Sequence, residues 1–146
     1  AISERQDIVY LKIPERFSPP VATPAPEAPD HAETVEIDTV RLFRYSACTF
    51  NAHRIHYDLA YAQEVEKYPG LVVHGPLQAT LLMDAATRWR GAAPKTFRFR
   101  GVRPMFHTHA LHMFGVNAEE DAAHAMDLCT ADPGGAQGMQ ARATWA

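Results

Sequence analysis

The sequence predicts an α+β domain in which an antiparallel sheet wraps one long central helix. Three observations predict it. Residues 76–90 are apolar on most sides for three turns, as in a helix buried all round rather than lying on a surface. Four apolar-rich segments follow, at 96–105, 110–119, 123–130 and 138–145, separated by turn residues. Strands that succeed one another without helices between them form a meander, and its apolar face needs a helix to cover it.

Along the chain the elements follow from local chemistry. Residues 7–11, DIVYL, read as a short strand, which needs a partner to be stable. Residues 14–30 hold six of the eleven prolines, so they cannot supply ladder hydrogen bonds and are expected as an extended, polyproline-like linker. The chain therefore divides into a linker with a short N-terminal strand, 1–32, and a compact domain, 33–146. Residues 35–49 are strand-like, with Val, Ile, Leu, Phe and Tyr interspersed with charges. Residues 57–68 read as a helix stopped by Pro69-Gly70. A short apolar run, 71–73, leads to Pro76, which suits a first helical turn because its missing N–H would have no partner there. Gly91 ends the long helix, and Asp132-Pro133-Gly134-Gly135 makes the last turn.

Bulk properties exclude several classes. The net charge of -3 and pI near 6.2 do not favour a nucleic-acid partner. No run reaches the roughly 18 apolar residues that span a membrane. The opening AISERQDIVYLKIP lacks the apolar core of a signal peptide. Cys48 and Cys129 form no CxxC pair, and they read as buried, reduced thiols of a cytoplasmic protein.

Two segments carry chemistry. TFNAHRIHYD, 49–58, packs an amide, two imidazoles and a carboxylate into eight positions. VHGPL, 73–77, sits where the long helix starts. His56 is the first candidate for acid–base work, since imidazole exchanges protons near neutral pH. Asn51 can orient a water by hydrogen bonds but cannot deprotonate it. His53 can share the site or be a structural histidine, and the same two readings hold for His74. Asp58 can fix an imidazole tautomer or cap the following helix, and the cap is favoured. Gly75 offers a backbone N–H at the positive end of a helix, where a developing oxyanion would be held. His53, His56 and His74 lack a matching carboxylate or cysteine set, so no metal is expected. Arg98, Arg100 and Arg103 alternate with apolar residues, either as one solvated sheet face or as phosphate contacts suited to the guanidinium fork.

The two segments together, TFNAHRIHYDLAYA and YPGLVVHGPLQATLL, resemble the MaoC-like hot-dog hydratases and dehydratases. The nearest likeness is to the group holding mesaconyl-C4-CoA hydratase and the type 2 3-hydroxyacyl-thioester dehydratases, over roughly 35–145. The resemblance implies a hot-dog fold, a sheet around a central helix, and reversible hydration of an enoyl-CoA. It implies His56 as the catalytic histidine and Gly75 as the oxyanion donor. His53, His74, Arg98, Arg100 and Arg103 would contact substrate. The chain departs from the commoner motif: Asn51 stands where the catalytic aspartate is expected, His53 where an asparagine is, and Arg54 where a proline is. No metal or redox cofactor is implied, because the CoA thioester itself acidifies the α-carbon. The chain would act as a homodimer or as the second hot-dog half pairing with a first. Two alternatives stand beside this reading. One is a hot-dog thioesterase using Asp84 on the long helix. The other is a non-catalytic half that supports an active partner.

Overall fold

The computed structural model describes residues 1–9, 12, 13 and 15–146. Strand β1 (His31–Val35) is followed by helix α1 (Thr39–Thr49), a single 3-10 turn (Arg54–His56), helix α2 (Leu59–Glu64) and helix α3 (Gly75–Arg90). Strands β2 (Thr96–Gly101), β3 (Leu111–Asn117), β4 (Ala125–Ala131) and β5 (Gln137–Thr144) complete the chain. They form one sheet in the order β1-β3-β4-β5-β2, antiparallel at every pairing. The central helix is present and β3, β4 and β5 form the expected meander, but β2 pairs with β5 instead of β3; the strand boundaries fall within a few residues of those read from the sequence.

Helix α3 lies against the sheet through Ala79, Leu82, Ala85 and Ala86, which are buried among Met113, Met126, Leu128, Met139, Ala141 and Ala143. The alanines let backbone and sheet approach closely. The methionines fill the irregular gaps that remain. Gly115 on β3 is a packing requirement: a Cβ there would lie 2.8 Å from the Trp89 ring. His31, directly across from Gly115, stacks on the same indole at 5.1 Å, and Arg88 joins Glu33 of β1 to Asp84 of α3. These contacts fasten β1 to the helix although it sits at the edge of the sheet.

A second core cluster positions the site. It contains Leu42 of α1, Ile55 of the 3-10 turn, Ala62 of α2, Leu71, Val72 and Val73, and Leu77, Met105 and Leu111. It docks the layer of short helices onto the start of α3.

Two expectations need correction. Residues 35–49 are not one strand. The chain leaves the sheet after Val35 and forms α1, with Asp38 capping it by accepting from Arg41 N–H at 2.6 Å. Leu42 and Ser46, four apart, face the core, a helical spacing that the β-formers around them disguise. The strand expected at 7–11 is not formed over residues 7–9, which are exposed and outside any strand; residues 10 and 11 lie outside the described residues. The described part of the linker is irregular apart from one bridge between Pro24 and Ala136. It is nonetheless fastened to the domain. Gln137 Nε2 donates to Pro24 O, Arg103 Nη1 donates to Pro20 O, and Phe17 meets Tyr68 and Phe106. Cys129 is buried and its thiol is pushed up to about 11 by that burial, whereas Cys48 is exposed, contrary to expectation.

Candidate active site

The site is assembled where α1 ends, the 3-10 turn begins and α3 starts. Helix α1 closes on Phe50, whose φ of 54° is left-handed. Asn51 N–H then donates to Ser46 O at 2.9 Å, and this reverses the chain. A bulky residue in that region is uncommon, and such strain concentrates at functional sites. Asn51 turns its Oδ1 to its own segment, accepting from His53 N–H at 3.0 Å. Its amide Nδ2 makes no hydrogen bond among the described residues and is left to donate.

The 3-10 turn carries His56 inward, to 7% exposure. Its Nδ1 lies 2.8 Å from Val72 O. A carbonyl only accepts, so Nδ1 carries the hydrogen and the lone pair is on Nε2. Nε2 has no hydrogen-bond partner, yet it is not among the sealed unpartnered atoms, so it is open to approach. Burial, more than any other influence, pushes His56 below its ordinary value, with His53 adding to the effect and the Val72 bond and Glu66 opposing it. The ring is therefore neutral at pH 7, with a basic Nε2 available.

The apolar run 71–73 fixes the other side of the site. Val72 N–H donates to Ile55 O at 3.0 Å and Val73 N–H to Met105 O at 2.8 Å, which ties the histidine turn to the approach of α3. His74 follows, fully buried at the N-cap of α3. Its ring stacks on His56 at 3.7 Å with planes 17° apart. Its Nε2 lies 2.8 Å from Ser46 Oγ, and its Nδ1 is buried without a partner. Burial first, and His56 second, hold His74 down to about 3. Tyr45 packs edge-on against it at 4.8 Å.

Gly75 comes next and opens α3, and its N–H makes no hydrogen bond among the described residues. Its φ is not positive, and an added Cβ would meet only Met139 Cε at 4.0 Å, an ordinary contact. Neither backbone nor packing demands glycine at this place. A missing side chain beside a free N–H at a helix start leaves room for another group to approach.

The remaining candidates sort clearly. His53 is half-exposed, its ring edge-on to His56 at 5.7 Å and its Nε2 2.7 Å from Glu66 Oε1. Asp58 caps α2, accepting from Tyr61 N–H at 3.0 Å, and pairs with Arg54 at 2.7 Å; the Tyr61 N–H and Arg54 hold its carboxyl below the usual range. Arg98 and Arg100 lie on edge strand β2, opposite Arg142 and Gln140, and alternate with Phe97, which packs in the core. They therefore project from the face of the sheet away from α3. Arg103 is engaged with the linker. None of the three arginines is brought to His56. Asp84 is largely exposed and paired with Arg88, so α3 does not present it to the site. His107 is structural, its Nδ1 accepting from Leu71 N–H at 3.1 Å. Among the described residues no group of three or more His, Cys, Asp or Glu side chains is placed to hold a metal ion.

Three contributors were not foreseen. Ser46 and Tyr45 sit in the segment read as a strand. Glu66 is thirteen residues from His53 and reaches it from the end of α2, where its N–H donates to Tyr61 O at 3.3 Å. Two surface concavities formed by described residues measure about 360 and 470 Å³. One is on the outer sheet face beside Pro24 and Pro26, and the other is along α1 at Arg41, Arg44 and Tyr45. Neither is lined by His56 or Gly75.

The family model for hydroxyacyl-thioester dehydratase type 2 matches residues 1–107. The mesaconyl-C(4)-CoA hydratase of Chloroflexus aurantiacus is 51% identical over 109 residues, which are 72% of this chain and 38% of that protein. The mitochondrial hydroxyacyl-thioester dehydratase type 2 of Schizosaccharomyces pombe is 34% identical over 111 residues, 72% of this chain and 36% of that protein. The chain thus spans little more than a third of the length of these curated relatives. The solved (R)-hydratase from A. caviae involved in PHA biosynthesis superposes with a TM-score of 0.64 at 16% identity, over 77% of this chain and 89% of that one, and so shares the hot-dog fold. No helix among the described residues is long and apolar enough to cross a membrane. The chain belongs to the hydroxyacyl-thioester dehydratase type 2 family.

Proposed function

We propose that this chain is a catalytic hot-dog half of an enoyl-CoA hydratase that works reversibly as a 3-hydroxyacyl-CoA dehydratase. The observation that carries the reading is a neutral histidine with an open Nε2, stacked on the residue that precedes a helix-start glycine required by neither backbone nor packing. In hydration, His56 Nε2 takes a proton from a water molecule oriented by Asn51 Nδ2. The water oxygen bonds to the β-carbon and the double-bond electrons move toward the thioester. The carbonyl oxygen gains enolate charge and is held by Gly75 N–H. The proton on His56 is then delivered to the α-carbon, which returns the histidine to its starting state. The thioester supplies the acidity of the α-carbon, so the reaction needs no metal or redox cofactor. Phe50, 94% exposed beside Asn51, fits a site completed by a second hot-dog unit, either a first half or another copy. The names of the two curated relatives support the acyl-CoA class of substrate. Asp84, paired with Arg88 away from His56, gives the thioesterase reading no carboxylate at the site.

Gly75→Pro is the direct test. Proline removes the N–H and sets its ring in the space beside it, is tolerated in a first helical turn, and requires of the preceding residue the extended backbone that His74 already has, at φ -56° and ψ 134°. Loss of an oxyanion donor of this kind lowers kcat by about 10²–10³-fold. A folded Gly75→Pro protein hydrating a short enoyl-CoA at the wild-type rate would overturn the proposal.

A further inference from the structure

Asn51 leaves the histidine motif without a carboxylate at the place where the catalytic aspartate is expected, because an amide cannot take a proton or carry charge. Asp58, the only carboxylate inside the motif, is bound to Arg54 and the start of α2. A different carboxylate lies beside the histidines. Glu66 follows α2, its N–H donating to Tyr61 O at 3.3 Å, and its Oε1 lies 2.7 Å from His53 Nε2. Its side chain is only 13% exposed, unlike an ordinary surface ion pair. Tyr68, whose hydroxyl is pushed up by burial and by Glu66, is close enough to feel its charge. A carboxylate accepts only, so the hydrogen of neutral His53 is on Nε2. The ring is thereby fixed edge-on to His56 at 5.7 Å.

We infer that Glu66 is a positioning residue of the hydration reaction, and that through its bond to His53 Nε2 it sets the negative charge beside His56 that Asn51 cannot provide. The inference rests on the hydratase reading above. When His56 takes the proton from water it becomes a cation in a mostly buried place. A carboxylate held behind the adjacent imidazole stabilises that cation, as the acid of a carboxylate–histidine pair does. The charged and titratable groups around His56 are His53 and Glu66 on one side and His74 on the other. Arg54 and Asp58 neutralise each other at the surface. Glu66 is the one member of this set that favours a proton on His56 without itself being paired to a cationic side chain such as Arg or Lys.

The test compares the wild type with Glu66→Gln, Glu66→Asp, His53→Gln and the Glu66→Gln/His53→Gln double variant. Hydration of crotonyl-CoA and mesaconyl-C4-CoA is followed from pH 4.5 to 8.5. Glu66→Gln keeps the shape and a hydrogen-bonding oxygen but removes the charge. We expect kcat to fall about tenfold or more with KM within twofold, and the acid limb of the rate to move to lower pH, because a support for protonated His56 has been removed. Glu66→Asp should restore part of the rate. The double variant should be no slower than the worse single variant, since both act along one path. A Glu66→Gln protein that retains at least half the wild-type kcat with an unmoved acid limb would overturn the inference while leaving the hydratase reading intact. So would losses that multiply in the double variant. A wild type that hydrates neither substrate would instead overturn the hydratase reading, and the inference with it.

Discussion

Acid should weaken this fold through His74, by an amount that follows from its position. The ring is fully buried, and its charged form is disfavoured by burial and by the neighbouring His56, so that it titrates near 3 instead of 6.5. The unfolded chain has no such restraint and binds a proton near the ordinary value. Between these two values the unfolded state holds more protons than the folded one, so stability falls as the pH drops. The contribution is complete above pH 6.5 and declines by about 1.4 kcal/mol per unit below it, or about 2 kcal/mol by pH 5. Urea unfolding at pH 7.5 and pH 5.0, on the wild type and on His74→Phe, isolates this term. Phenylalanine keeps a flat ring against His56 but cannot titrate. Its loss of the Ser46 contact is the same at both pH values and cancels in the difference. His74→Leu serves as a second variant should the larger ring not fit. The wild type should lose about 2 kcal/mol more between the two pH values than either variant does. Equal losses would show that His74 is not held neutral and that the buried stack is misread.

Three further outcomes follow. Leu82→Ala, at a fully buried position between α3 and the sheet, should cost about 2–5 kcal/mol in urea unfolding, because the rigid sheet cannot collapse into the gap. Lys67→Gly should raise stability by about 0.5–1 kcal/mol, since the residue adopts a left-handed φ of 63° that glycine adopts without strain; a destabilised variant would contradict that backbone assignment. The hydration kcat/KM should stay level as pH falls below 6.5 and decline only lower, because His56 is depressed below its ordinary value. A half-maximal point at or above 6.5 would contradict the burial argument.

Much of the architecture was legible because it rests on periodicity. Helix α3 was read from apolar residues on most sides and from Pro76 and Gly91 at its ends, and the strands from apolar segments between turn residues. Asp58 was correctly favoured as a cap. Helix α1 was misread because Val, Phe and Tyr between residues 40 and 45 are strand formers. Asp38 and the inward pair Leu42 and Ser46 were the signals that it is a helix. His56, Asn51 and Gly75 could be picked from their motifs, but their relation could not. The stack of His56 on His74 requires the Val72–Ile55 and Val73–Met105 hydrogen bonds to bring two segments together, and no local pattern encodes that closure. Glu66 was invisible for a similar reason, since it meets His53 across thirteen residues, from the far end of α2. The arginines were picked out by alternation; Arg98 and Arg100 lie on β2, and Arg103 lies beyond it and donates to Pro20 O of the linker.

The central claim is that His56 is the base that adds water to an enoyl thioester. It is tested most directly by following enoyl absorbance and free thiol together, on the wild type and on His56→Ala with its fold checked by circular dichroism. The account predicts loss of enoyl absorbance without thiol release in the wild type. It predicts a rate at least about 10²-fold lower in His56→Ala, the scale of a lost general base. Thiol release by the wild type, or a folded His56→Ala protein that keeps more than about a tenth of the wild-type rate, would contradict it.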